Sequence, residues 1–574
     1  MKIQKYTYSV LTLILLLSLT NCQDLNYDED TGNTKEAIFN DIGRSKQFIS
    51  GIYAYLPTDY GSIDNAMRSA ATDEAEHVND LAVVQKFNDG SWNAVQPLDD
   101  VWASMYNGIR AVNVYLKEAE GQKFEDLQYT TTYANLIKQY NNYPYEARFL
   151  RAFFYFELAK RYKNVPIITT VLSADEAVNV EQAPFEEVVN YIVSECDAVA
   201  AVLPITYVEF GGASETGRAT KGAALALKAR ILLYAASPLH NPNNDLELWK
   251  KAASAAKEII DLATAAKYSL AASYSSNFNM LVAAPTTEII LERRVAASND
   301  FERRNYPIGY QGGATGTCPT QNLVDAYEVT RSGLPIDRDT RYNASNPYNG
   351  RDPRLEQTVI RNNSTWKNLT VQSFIGGRNG LPLLNATKTS YYLKKFLFQD
   401  INLDSNQGTV TTREHNWILF RYAEILLNYA EAVNEAYGPE TAPPGGVLTA
   451  RQAVNLVRVR AGMPRFPGSD NNATPKISTP LNQSEFRTKL RNERRVELAF
   501  EDHRFWDVRR WKIGNETKEI YGMKINEAPG TTFGFTFEKI LLETRTYDDR
   551  MNLYPIPQSE IFKSNNKLKQ NTGW

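Results

Sequence analysis

The chain has 574 residues, 43% of them hydrophobic, with 63 Lys and Arg against 66 Asp and Glu for a formal charge of −3. This is globular composition, long enough for several domains, without the basic excess that would neutralise a phosphate backbone. Nucleic acid is therefore not expected as a partner, and a ligand is either uncharged or locally matched. Three Cys, at 22, 196 and 318, lack paired spacing, so neither a disulfide framework nor a zinc site holds the fold.

The chain opens as an address. Lys2 and Lys5 precede an apolar stretch over 10–19, too short for a helix to cross the ~30 Å hydrocarbon core. It ends Leu19-Thr20-Asn21-Cys22, which resembles a bacterial lipobox, so residues 1–21 are expected to be a signal peptide and Cys22 the acylated first residue. Two or three acyl chains would tether the protein to membrane lipid, since one chain holds only marginally. The acidic, polar stretch over 23–30 suits a solvated tether.

Helices follow in pairs. Apolar spacing and capping signals predict helices over 41–56 and 99–119, from Pro144 to just before Pro166 and over 185–203, over 220–236 and 246–263, and over 417–437 and 448–461. Three of them share Ala-x3-[Phe/Leu]-x2-Ala: Ala152/Phe156/Ala159, Ala229/Leu233/Ala236 and Ala423/Leu427/Ala430. Small residues at that spacing admit a neighbouring helix while the larger one fills its groove, as in helix-turn-helix repeats. The separations are too uneven for a regular repeat, so the units are divergent and carry large insertions. Two stretches, 58–97 and 283–415, are rich in Gly, Asn, Pro, Asp and aromatics and lack helical period; long loops of this kind are where a site is expected.

Enzyme motifs are sparse. The four His (77, 240, 415, 503) show no metal-binding spacing, and the Gly-rich run over 309–316 lacks a P-loop ending. Cys196 sits in an apolar helical pattern and reads as inert, whereas Cys318, beside the Gly-rich run, is expected to be exposed. The densest charged motif covers 490–511: Glu493, Glu497 and Glu501 fall on one helix face, and Arg504, Arg509 and Arg510 are the expected partners in a structural ion-pair network.

SAATDEAEH (69–77), EARFLRAFFYFELAKRY (146–162), GRATKGAALALKARILLYAASPL (217–239), RYAEILLNYAEAVNE (421–435), VNLVRVRAGMP (454–464), ERRVELAFEDHRFWDVRRW (493–511) and the tail segments YPIPQSEI and LKQNTGW, with the Cys22 signal, resemble the SusD/RagB family of outer-membrane nutrient-binding lipoproteins. Asn566 and Thr572 depart from the Pro frequent in that family's closing motif. The resemblance implies a mainly α fold, an α-superhelix of four divergent tetratricopeptide-like helix pairs with long irregular insertions carrying the ligand site. The first three pairs fall in 22–282; the ligand-side insertion, the fourth pair and the C-terminal helices fall in 283–574. It further implies a glycan-binding surface protein, not an enzyme, that serves as lid to a SusC-like TonB-dependent transporter. Peptide capture and, further off, glycoside hydrolysis are the alternatives.

Aromatic faces cover the C–H side of sugar rings, and polar side chains set their orientation. From the two irregular stretches, Asp64, Asn65, Trp92, Tyr310, Cys318, Trp366, Arg378 and Tyr391 are the expected ligand contacts. No cofactor is expected, while a structural Ca²⁺ stays open because scattered Asp and backbone carbonyls suffice.

Overall fold

A computed structural model describes residues 34–210, 215–278, 286–468 and 480–574; the apolar leader and Cys22 lie outside them. The scaffold is a succession of helices: α1 (Ile42–Ile52), α2 (Trp102–Glu118), α3 (Tyr143–Tyr162), α4 (Phe185–Ala200), α5 (Lys221–Ala236), α6 (Leu246–Ala266), α7 (Tyr422–Tyr437), α8 (Ala450–Arg460), α9 (Gln483–Glu497) and α10 (Arg504–Arg510). From α2 to α7 each packs on the next, and α7 then meets α8 and α9. The expected superhelix of helix pairs is therefore present, and α6 reaches α7 directly although a long insertion separates them in sequence.

Local chemistry starts these helices where the sequence places them. Thr220 accepts from the Ala223 amide and Asp245 from the Glu247 amide, while Thr449 with Gln452 and Asn482 with Glu485 form capping boxes. All nine residues of the shared Ala-x3-[Phe/Leu]-x2-Ala motif are at most 1% exposed, so the small positions are indeed contact surfaces. Close approach is also enforced at Gly108 in α2, where a Cβ would come within 2.7 Å of the Phe154 ring of α3.

Short sheets carry the insertions: β1 (Ala75–His77), β2 (Ile289–Ser298), β3 (Thr317–Pro319), β4 (Arg413–Arg421), β5 (Glu519–Glu527) and β6 (Phe535–Thr544). β1 pairs antiparallel with β3, tying the first irregular stretch to the second, and β5 pairs with β6. β2 pairs antiparallel with β4, Ile289 opposite Arg421 and Arg294 opposite Asn416. This corrects the helix expected from 417. The run Trp417-Ile-Leu-Phe420 is apolar without interruption, which suits a buried strand as well as a helix, and pairing with β2 decides it.

The charged motif forms a buried network with partners other than those expected. Glu493 meets Arg354 (2.7 Å) and Arg458 (2.6 Å), and Glu497 meets Arg354 (2.8 Å), Arg421 (2.7 Å) and Arg460. Glu501, beyond the end of α9, meets Arg421 (2.6 Å) and Lys395 (2.7 Å). Phe500 and Asp502 are left-handed and turn the chain, so α10 leaves along another line. Arg504 consequently pairs with Asp73 (2.8 Å) and Arg510 with Glu431 (2.6 Å), while Arg509 stacks 3.4 Å above the Phe505 ring centroid.

These environments predict a stability maximum in mild acid. Burial pushes the Asp59 and Glu74 carboxyls up to about 7 against nearby Arg68 and Arg495, respectively. Their contribution to stability is full below the ordinary carboxylate range and is lost as pH rises through about 7. Burial also opposes ionisation of Glu431, but Arg510 overrides it and holds the pKa at about 2. That stabilisation is present above the ordinary range and is lost as pH falls toward about 2. Buried His240 and His503, both pushed below the ordinary imidazole value, cost stability as pH falls through that value and offset part of the Asp59 and Glu74 contribution. Melting temperature is therefore expected to be highest between about pH 4.5 and 6.5 and to drop steeply below about 4. A steady rise from pH 4 to 8 in a thermal scan would contradict these assignments.

Candidate functional site

The site is built around residues 306–316, whose glycines let the loop lie flat on its neighbours. A Cβ at Gly309 (φ 87°) would come within 2.6 Å of the Arg378 carbonyl, and one at Gly312 (φ 75°) within 2.8 Å of Leu403. Tyr310 Oη donates to the Trp366 carbonyl (3.0 Å), and Asn379 Nδ2 donates to the Ile308 carbonyl (2.6 Å). The loop is thereby clamped to two turns of the same insertion: a hairpin of Thr365–Trp366 with Leu369–Thr370, and residues 376–380.

Its other end holds the first irregular stretch. Arg304 Nη1 donates to the Tyr60 carbonyl (3.3 Å), so the 59–66 turn sits against the root of the loop. Buried Asp59 closes that turn, accepting from the Arg68 amide (2.9 and 3.0 Å) and from the Ser62 hydroxyl. Within it Asp64 (φ 47°) and Asn65 (φ 74°) occupy the left-handed region, which Asp and Asn tolerate better than other non-glycine residues, and both side chains are exposed. Beneath, the Tyr60 ring packs edgewise on Phe301 (4.8 Å), Trp417 (5.1 Å), Phe396 and His415 (both 5.5 Å), and its hydroxyl donates to the Asn416 carbonyl. Aromatic packing thus supports the turn from below, and hydrogen-bonding groups face out.

Of the expected contacts, the structure presents three at this surface and withdraws five. Asp64, Asn65 and Arg378 are exposed, Asp64 and Asn65 at one end of the Gly-rich loop and Arg378 at the other. Tyr310 is 8% exposed, with its hydroxyl turned inward to the Trp366 carbonyl. Trp366 is fully buried edgewise against Tyr306 (5.8 Å). Tyr391 is fully buried and donates to Gln321 Oε1 (2.5 Å). Trp92 belongs to a separate cluster, 2% exposed among Phe87, Tyr554 and Trp574. Cys318 lies in β3 at 1% exposure, where burial pushes its thiol up to about 12. The common cause is that segments without a periodic apolar face need large side chains to build their own core, and these aromatics are that core. Arg304 and Lys367 border the same surface and carry no sequence motif; only the Glu302-Arg303-Arg304 charge cluster just before the Gly-rich run hinted at Arg304.

The surface offers donors and acceptors but no activated nucleophile. His415 Nε2 meets Glu302 Oε1 (3.0 Å) with both side chains buried, and His240 stacks on Phe185 (3.8 Å), where burial pushes its pKa down to about 3. His503 lies against Arg494 (3.2 Å), and burial with that cation holds it neutral. Cys196 is buried, and burial pushes its thiol far above the ordinary range. Among the described residues no group of three or more His, Cys, Asp or Glu is placed to hold a metal ion, and no helix is long and apolar enough to cross a membrane.

Comparison with known proteins agrees with this architecture. The profile of the SusD family matches residues 287–574, and a profile described as starch-binding, associating with outer membrane, matches residues 28–233. SusD-like protein P2 of Formosa agariphila is 24% identical, with 99% of each chain covered. A SusD-like protein of Bacteroides fragilis superposes with a TM-score of 0.75 at 27% identity, covering 94% of this chain and 98% of the other. A laminarin binding SusD-like protein superposes with a TM-score of 0.60 at 20% identity, covering 93% of this chain and 99% of the other.

Proposed function

The chain belongs to the SusD family, and from that membership we propose that it is a surface lipoprotein that captures a glycan and delivers it to a partner TonB-dependent outer-membrane transporter, closing over it as a lid. The observation that carries this reading is the shelf itself: exposed Asp64, Asn65 and Arg378 stand on turns fixed by glycines, backbone carbonyls and buried aromatics, so hydrogen-bonding groups are held in place before any ligand arrives. The printed description of the profile over residues 28–233, starch-binding with outer-membrane association, supports the same reading. Delivery requires release, which suits a Kd of ~μM to mM, about −8 to −4 kcal/mol.

The test is a binding screen of the detergent-solubilised whole chain against soluble polysaccharides and protein digests. Saturable binding to a polysaccharide is expected, with Asp64→Ala plus Asn65→Ala weakening it about tenfold, or ~1.4 kcal/mol; capture of peptides alone would contradict it. The anchor rests on Cys22, outside the described residues. Cys22→Ala is expected to move the protein from the membrane fraction to the soluble one, and retention after a high-salt wash would overturn the lipid tether.

A further inference from the structure

Arg304, Lys367 and Arg378 border the Gly-rich loop, Arg293 lies beyond its root on β2, and each is held by a backbone carbonyl. Arg293 Nη1 donates to the Leu56 carbonyl, Arg304 Nη1 to the Tyr60 carbonyl (3.3 Å), Lys367 Nζ to the Ile401 carbonyl and Arg378 Nη2 to the Thr370 carbonyl. Three backbone segments thus fix four side chains, and among the described residues none of the four is paired with a carboxylate. Buried Arg421, by contrast, engages Glu288, Glu497 and Glu501.

The distinction matters physically. A cation paired with a carboxylate is neutralised and its donors are spent, whereas one anchored by a neutral carbonyl keeps its full charge and its remaining N–H groups. Lys367 also lies 4.8 Å above the Tyr306 ring centroid, and Arg378 lies beside the Tyr310 hydroxyl, so both approach the loop from the hairpin side. Arg304 stands at the opposite end, against the Tyr60 carbonyl, and Arg293 lies farther along β2, against Leu56. The exposed acids on these segments are Asp64, Asp300, Asp400 and Glu414, of which Asp400 is taken up by Arg413, while exposed Arg303 adds a further cation. Arg304, Lys367 and Arg378 thus offer cationic N–H donors around the loop without a carboxylate partner among the described residues.

We propose that this shelf recognises an anionic glycan, one bearing sulfate ester or uronate groups, with Lys367 and Arg378 engaging anionic groups at one end of the loop and Arg304 at the other. The proposal rests on the glycan-capture reading and narrows its substrate class. Pre-positioned guanidinium and ammonium groups meet sulfate or carboxylate oxygens in charge-assisted hydrogen bonds, and the exposed Asp64 and Asn65 remain for neutral hydroxyls.

The test is native affinity electrophoresis of the whole chain in detergent, through gels containing a sulfated galactan, polygalacturonate, starch, dextran or polyglutamate. Retardation by the sulfated galactan or by polygalacturonate is expected, weakening with added salt, and which of the two acts distinguishes sulfate from carboxylate. Lys367→Gln with Arg378→Gln should lower that affinity at least tenfold at unchanged melting temperature, and Lys367→Arg with Arg378→Lys should recover most of it. Tighter binding to starch or dextran would overturn the anionic class while leaving glycan capture standing. Equal retardation by polyglutamate would reduce the face to a charge effect and overturn the proposal. No retardation by any polysaccharide would remove glycan capture itself, and the proposal with it.

Discussion

Arg421→Met is expected to lower the unfolding free energy by about 3–5 kcal/mol. The guanidinium is 1% exposed and makes five short contacts: Nε to Glu501 (2.6 Å), Nη1 to Glu288 and Glu497 (both 2.7 Å), and Nη2 to the Glu497 carbonyl and Glu501 (both 2.8 Å). Methionine fills much of the volume but leaves three buried carboxylates facing one another. Arg460, Arg354 and Lys395 still reach them and limit the damage. Adding Glu501→Gln should recover part of the loss, because one uncompensated charge disappears with it. Urea titration followed by circular dichroism reads both effects. A shift below about 1 kcal/mol would mean that the network is weakly coupled to the fold.

Trp92→Ala is expected to cost about 3–5 kcal/mol of stability, the range for truncating a fully packed aromatic. Its ring lies 4.9 Å from Phe87, 5.2 Å from Tyr554 and 4.4 Å from Trp574, so the deletion opens a cavity where the first irregular stretch meets the C-terminal tail. Affinity for ligand should change little in molecules that remain folded, because the ring has no exposed face. Differential scanning calorimetry together with a binding titration separates the outcomes. Lost affinity at an unchanged melting temperature would place Trp92 at the ligand after all.

The two substitutions mark where sequence reading succeeds and where it stops. Helix pairs are legible because their determinants are local: the Ala-x3-[Phe/Leu]-x2-Ala spacing, the Thr220 and Thr449 caps and the uninterrupted apolar faces all lie within a few turns. The start of α7 is misread because the residues just before it, Trp417–Arg421, pair with β2, far earlier in the chain, and no local pattern reports that pairing. The carboxylates of α9 are recognisable as a network, yet Arg354, Arg421, Arg458 and Arg460 come from three other regions of the chain, so their identity depends on the assembled superhelix.

At the site, the loops are legible and their occupants only in part. Asp64 and Asn65 stand out because a short polar turn has nowhere to bury them, and they are exposed. Trp366, Tyr391 and Trp92 share the composition of a sugar platform, but an aromatic ring in a loop is also the cheapest way to build a core where period is lacking. Only coordinates separate those uses. Lys367 and Arg304 are the converse case, unremarkable in sequence and conspicuous once their carbonyl anchors are visible.

On the proposed function, cargo is held and then passed on unaltered. The most direct measurement incubates the whole chain with the polysaccharide it binds best, follows saturation by calorimetry, and then sizes the recovered carbohydrate by chromatography over a long time course. Capture predicts a saturable isotherm and a chain-length distribution identical to the starting material. Progressive shortening that scales with protein concentration would contradict it and would make the shelf a hydrolytic site.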